Sequence, residues 1–271
     1  MAAQRPLIMF TNDDGFDSPG LWAAVDVFLD VGDCLIVAPR EQQSSMGRSM
    51  PNTSEGRIYQ REVTRNGRTL TAYAVDGTPA QAVQHGLCEL ADRKPDLLIS
   101  GINYGENVGV GITISGTVGA AMEATSLGVP SLAVSQQLPK DLHLSHSNDV
   151  DFSAAAHFTA KFGRWLLANG LPEGVDLFKL EVPRDATPQT EWRMTRLSRV
   201  RRFLPLPPKR ENLDDKGYID YQNNPDISPA APDSDLYVLI NDGCVAVTPL
   251  TLDMTAPVDF DALTAAINGA D

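Results

Sequence analysis

Through the first two-thirds of the chain, short apolar and β-branched runs alternate with amphipathic segments of helical length, the pattern of a parallel sheet joined by crossover helices. Leu7-Ile8-Met9-Phe10 reads as the first strand. Leu21, Trp22, Val25, Phe28 and Leu29 then recur at helical spacing, with Ser18 placed to cap that helix and Pro19 at its first position. Leu35-Ile36-Val37-Ala38 is the next strand, stopped by Pro39. Thr78-Pro79 opens a helix towards Ala91, and Asp96–Ser100 is a buried strand behind it. Thr117–Leu127 reads as a helix closed by Gly128, Ser131–Ser135 as a strand, and Asp151–Asn169 as a long helix ended by Gly170. The expected fold class is α/β: a Rossmann-like, mostly parallel sheet with helices on both faces, plus a C-terminal arm and hairpin extension.

A chain of 271 residues holds one large α/β domain, or one domain plus an extension. The division expected is a core over 1–190 and an extension over 191–271. Within the latter, Phe203–Asp235 is proline-rich and polar, too long for a structureless loop in a compact domain, so it should form an arm, flap or hairpin packed on something else. Leu236–Ile240 and Cys244–Val247 flank Asn241-Asp242-Gly243, a short-range hairpin signal, and a short helix near Phe260–Ile267 ends the pattern.

Bulk properties narrow the function. Apolar runs such as Leu7–Phe10 and Leu35–Ala38 are far short of the roughly 20 residues of a membrane helix. Met1-Ala2-Ala3-Gln4-Arg5-Pro6 has no leader-like apolar region, so a cytoplasmic location with no membrane partner is expected. A net charge of −13 argues against a nucleic acid polymer as partner, and an anionic ligand would have to be held by local features. Cys34, Cys88 and Cys244 are odd in number and widely spaced, which suits small buried hydrophobes better than disulfides or a metal site.

Three expected strands end in polar segments: Thr11-Asn12-Asp13-Asp14-Gly15, Glu41–Gly47, and Gly101–Asn107. In an open α/β sheet, ligands bind at the carboxyl ends of strands. Asp-Asp-Gly alone is also an ordinary turn sequence. Two adjacent carboxylates there are best tolerated beside a hard cation, and Asp13, Asp14, Ser44 and Asn103 would supply the oxygen donors that Mg²⁺ or Mn²⁺ prefers. Gly105–Gly111 lets backbone amides approach phosphate, yet it is neither a Walker A loop nor a Rossmann fingerprint. Ser115-Gly116-Thr117 starts a helix and can bind an anion or simply cap it.

The remaining polar features have plainer readings. His85 and His157 read as helix-face residues, while His143 and His146 lie in a polar loop, within reach of a substrate or facing solvent. No GxSxG elbow supports an α/β-hydrolase. Arg193, Arg196, Arg199, Arg201 and Arg202 would form one solvated or subunit-contacting strand face.

At these residues the sequence resembles the SurE family of survival-protein nucleotidases. Thr11–Gly15, Val37-Ala38-Pro39 with Ser44, Asp76–Ala80, Ser100–Asn103 with Gly105 and Asn107, Ser115–Val118, Ala120–Glu123, and Val247–Leu250 with Asp253 and Thr255-Ala256 match its segments in order. Ser45 departs, standing where many members have Gly, and Phe203–Asp235 shows little of the family pattern. The resemblance implies metal ligation by Asp13, Asp14, Ser44 and Asn103, a substrate phosphate near Asn107, Ser115, Gly116 and Thr117, and catalytic roles for Asp13 and Asp14. It also implies one divalent ion per subunit, 5′- and 3′-nucleotidase activity on nucleoside monophosphates, exopolyphosphatase activity in some members, and homodimers or homotetramers with exchanged C-terminal arms. The rival readings are a non-catalytic nucleotide-sensing module and a nicotinamide-dependent oxidoreductase, the latter disfavoured by the missing fingerprint after the first strand.

Overall fold

The computed structural model describes residues 4–145 and 147–269, so the readings that fall on Met1–Ala3 and on His146 lie outside the described residues. In chain order the elements are β1 (Leu7–Thr11), α1 (Pro19–Asp26), β2 (Asp33–Pro39), β3 (Ile58–Arg65), β4 (Arg68–Val75), α2 (Pro79–His85) and β5 (Leu97–Tyr104). There follow α3 (Gly116–Ser126), β6 (Ser131–Gln136), α4 (Ser153–Asn169), β7 (Leu177–Val182), β8 (Trp192–Met194), β9 (Phe203–Leu206), β10 (Asp220–Asn223), α5 (Asp235–Ile240), β11 (Val245–Leu250) and α6 (Phe260–Asn268).

Nine strands form one sheet in the order β3-β4-β2-β1-β5-β6-β7-β11-β8. The run from β4 to β7 is parallel throughout, whereas β3 on β4 and β11 on β7 are antiparallel. The expected α/β sheet is therefore present, and residues on both sides of position 190 contribute to it. Strand β1, inside the sheet, alternates: Ile8 and Phe10 pack under α1 and α4 with Leu21, Val25 and Phe158, while Met9 packs under α2 and α3 with Val83 and Val118. Each such buried side chain contributes roughly 1.5–3 kcal/mol, which fixes the register and covers both faces. Because β1 has β2 on one side and β5 on the other, the chain reverses its winding beside β1, the switch point at which a crevice opens.

Several local expectations need correction. Leu236–Val247 is not a hairpin: Ser234 caps α5 by accepting from Tyr237 N–H, Leu236 and Leu239 bury one helical face, and β11 pairs with β7 instead. The true tight hairpin is β3–β4, turned at Asn66-Gly67, both with positive φ. α1 ends at Asp26, leaving Phe28 and Leu29 buried in the turn beyond it. Cys88 is exposed, unlike buried Cys244. The arginines share no single face, since only Arg193 lies on a strand: it pairs with Glu191 and Asp242, Arg196 pairs with Asp233, and Arg202 turns inward to Glu106. The Phe203–Asp235 stretch does form a hairpin, β9 with β10, outside the main sheet. No described helix is long and apolar enough to cross a membrane.

Candidate active site

A cavity of about 380 Å³ opens at the switch point. Asp13, Ser44, Asn103, Asn107 and Ser115 line it, while Asp14, Gly116 and Thr117 stand behind the wall. Three elements converge there: the loop after β1, the loop after β2, and the end of β5, where a register shift between Ser100 and Asn103 breaks the ladder beside β6. A second hollow of about 410 Å³, between Arg40–Glu55 and Val75–Thr78, contains none of the expected site residues.

Asp13 is the most constrained group. Its Oδ1 accepts from the Thr117 hydroxyl at 2.5 Å, and its carbonyl accepts from the Gln43 amide at 2.6 Å, tying the β1 and β2 loops together. The start of α3 abuts its carboxylate so closely that a Cβ on Gly116 would stand 2.8 Å from Oδ2. Burial pushes the Asp13 carboxyl above its ordinary value, opposed by Thr117 and by the Gly116 and Thr117 amides at the helix start. Asp14 is raised further, by burial first and then by the Asp13 charge, although Tyr104 N–H and the Gln42 amide each donate to it at 3.0 Å. Gly116 and Thr117 are thus engaged with Asp13, leaving Ser115 as the member of that trio on the cavity surface; its Oγ accepts from Val118 N–H at 3.1 Å as the cap of α3.

Ser44 is exposed at the rim, and the next residue, Ser45, has φ of +64°. That left-handed conformation suits glycine, so Ser45 is a strained serine beside the candidate ligand. Asn103 donates from Nδ2 to the Gly105 carbonyl at 2.7 Å, which leaves Oδ1 available to a cation. Among the described residues no group of three or more His, Cys, Asp or Glu side chains stands together as a metal cluster. Two carboxylates would therefore need completion by the Ser44 and Asn103 oxygens or by water.

Another wall joins His143, which the sequence placed within reach of a substrate or facing solvent, to two residues that the sequence pattern did not single out, Phe203 and Tyr221. His143, Phe203 and Tyr221 line the cavity, His143 stacked on Tyr221 at 6.2 Å and Phe203 edge-on to Tyr221 at 5.2 Å. His143 is fixed at both ring nitrogens, by Tyr221 Oη at 2.8 Å and the Leu138 carbonyl at 3.0 Å. Arg202 Nε reaches Glu106 at 2.8 Å and anchors the arm to the loop after β5. Strands of four residues give too little alternation to detect, so only the aromatic residues themselves could have signalled this wall.

A sequence model of the family described as Survival protein SurE matches residues 8–203. The chain belongs to the SurE family. It is 43% identical over 254 residues to the 5′-nucleotidase SurE of Methanocella arvoryzae, covering 92% of this chain and 93% of that protein. Against the 5′-nucleotidase SurE of Thermococcus kodakarensis it is 41% identical, covering 94% and 95%. The crystal structure of the SurE protein from Aquifex aeolicus superposes with a TM-score of 0.75 at 29% identity, covering 98% of this chain and all of that one.

One feature lies deeper in this SurE chain. Lys179, Glu181 and Asp235 are wholly buried together. Burial alone would lower the Lys179 ammonium, but the two carboxylates outweigh it and hold its pKa above the ordinary value. Burial pushes the Glu181 carboxyl from 4.5 up to about 7, against the pull of Lys179 and the Asn107 amide. A carboxyl raised in the folded state favours folding below its unfolded pKa, and that contribution is lost as pH rises through the folded one. Glu181→Gln is therefore expected to remove a loss of stability, on the order of 3 kcal/mol, between pH 4.5 and about 7, read by urea unfolding across that range. Identical pH slopes for the two proteins would refute the assignment.

Proposed function

We propose that this chain is a divalent-metal-dependent phosphomonoesterase that releases phosphate from nucleoside 5′-monophosphates. The observation that carries the reading is the buried pair at the switch point, Asp13 on the surface of a cavity with a helix start and aromatic rings in its lining, and Asp14 directly behind it. The names of the relatives, 5′-nucleotidase SurE, support the same reaction.

The residues present fit a hard cation. Two adjacent carboxylates raised by burial, Asp14 also by the Asp13 charge, are the groups such an ion stabilises in ionised form, and Asp13, Asp14, Ser44 and Asn103 can each present oxygen. When bound there, Mg²⁺ or Mn²⁺, one per subunit, would neutralise phosphate charge and lower the pKa of a water. Thr117 fixes the rotamer of Asp13 through its hydroxyl, and Gly116 lets the helix start come close enough to share its dipole with that carboxylate. Ser115 and Asn107, on the cavity wall, are the candidate donors to phosphate oxygens. His143, Phe203 and Tyr221 offer apolar faces to the nucleoside. Hydrolysis of 3′-monophosphates and short polyphosphate, assembly as a homodimer or homotetramer through 191–271, and a cytoplasmic site of action complete the proposal.

The rival reading is a nucleotide sensor that grips phosphate through Gly105–Gly111 without turnover. Incubating the purified protein with nucleoside 5′- and 3′-monophosphates, with and without a chelator, and measuring free phosphate separates the two. The expected result is chelator-sensitive release, with a higher kcat/KM for nucleotides than for a small alkyl phosphate that cannot use the aromatic wall. No metal-dependent release across the panel would favour the sensor.

A further inference from the structure

Strand β7 is buried on both faces, so Lys179 and Glu181 point along one side of it with no access to solvent. A buried ion pair is a weak source of stability, because desolvation opposes the attraction, and an apolar side chain of the same volume often does as well. Stability alone therefore does not account for a lysine there. Its three donors have definite destinations: the Asn107 carbonyl at 2.9 Å, Asp235 Oδ2 at 3.0 Å and Glu181 Oε1 at 3.3 Å.

The carboxylates in turn hold backbone amides of the loop after β5. Glu181 Oε2 accepts from Asn107 N–H at 2.8 Å, and Asp235 Oδ2 accepts from Gly109 N–H at 2.8 Å. Asp235 Oδ1 also takes the Ser198 and Leu236 amides at 2.9 and 2.8 Å. Both polar backbone groups of Asn107 are thus met by side chains from β7, and its side-chain amide donates to Ser135 Oγ at 3.0 Å. This loop carries the Asn107 side chain into the cavity wall.

We propose that Lys179, Glu181 and Asp235 form an internal clamp that holds the Asn107–Gly109 backbone in place, making Lys179 and Glu181 positioning residues for phosphate binding. The proposal rests on Asn107 being a phosphate contact. It differs from a purely structural role in what it moves: an ordered loop lowers KM and the inhibition constant of inorganic phosphate, whereas a packing role changes unfolding alone.

Two substitutions at one position give the test. Glu181→Gln and Glu181→Met both remove the charge, but only the former retains an acceptor for Asn107 N–H. The Met variant is expected to raise KM and the inhibition constant of inorganic phosphate about tenfold above the Gln variant, with kcat less affected, since a buried donor left unsatisfied is disfavoured by that order. Lys179→Met should move the same two constants in the same direction. In the wild-type protein the Asn107 and Gly109 amides should exchange slowly with deuterium, although they lie in a loop. Equal phosphate constants in the two Glu181 variants, or fast exchange at both amides, would overturn the clamp. If Glu181→Met does not fold, Lys179→Met decides: a raised inhibition constant for inorganic phosphate supports the clamp and an unchanged one refutes it. If the wild type turns over no phosphomonoester, the nucleotidase reading fails, while exchange and calorimetric binding of inorganic phosphate still decide the clamp.

Discussion

Asp13→Asn is expected to lower phosphate release by about three orders of magnitude or more while leaving the protein folded. The amide matches the carboxylate in shape and keeps an oxygen to accept from Thr117 Oγ1, so the contact between the loop after β1 and α3 survives. What it loses is charge at the point where Asp13 faces the cavity. With a chelator present, the variant should withstand denaturant at least as well as the wild type, because one of two adjacent buried carboxylates has gone and Asp14 no longer feels its neighbour. With Mg²⁺ or Mn²⁺ added, the order should reverse, the wild type gaining thermal stability by mass action and the variant gaining little. Turnover assays, urea unfolding and thermal scans, each with and without metal, check all three statements. Full activity in the variant would remove Asp13 from the chemistry.

Wherever periodicity was long, the fold was legible in the sequence. β1, β2, β5, β6 and α4 announce themselves by apolar runs or helical spacing, and the polar residues at three strand ends led to one crevice because the topology of such sheets brings those ends together. Two failures were local. Asn241-Asp242-Gly243 has the composition of a hairpin turn, but Leu236, Val238 and Leu239 bury a helix and Val245–Leu250 finds its partner in β7, so tertiary pairing overrides the turn signal. Asn66-Gly67 carries a turn signal of the same kind, and there the flanking strands do pair.

The arm was least legible because its function depends on contacts distant in sequence. Nothing near Arg202 marks Glu106 as its partner, and Tyr221 meets His143 across 78 positions. Lys179 and Glu181 are equally silent in one dimension, since alternate charges on a strand normally face water. The same long-range packing explains how a chain of net charge −13 can offer a site to an anion. Asp13 and Asp14 are sequestered behind Gln42, Thr117 and backbone amides, so the charge that would repel phosphate is held where a cation can neutralise it.

Gly116→Ala should separate the geometry of that arrangement from its charge. The added methyl would lie 2.7 Å from Asp13 Cβ and 2.8 Å from Oδ2, well inside van der Waals contact. Neither side yields easily: Asp13 is tied to Gln43 and Thr117, and Gly116 opens a helix capped by Ser115. Alanine favours a helix over glycine by up to about 1 kcal/mol, so α3 itself should persist and the carboxylate should be the part that shifts. A displacement of about 1 Å at a reacting centre reduces turnover by roughly a hundredfold, and the metal concentration needed for half-maximal activity should rise with it. Thr117→Val gives the complementary case, deleting the hydroxyl without adding bulk. Its expected loss is smaller, about tenfold, the order of one hydrogen bond to a charged acceptor. Metal titrations of kcat for the two variants measure both effects. Wild-type turnover and metal dependence in Gly116→Ala would mean that the approach of α3 to Asp13 has no part in the chemistry.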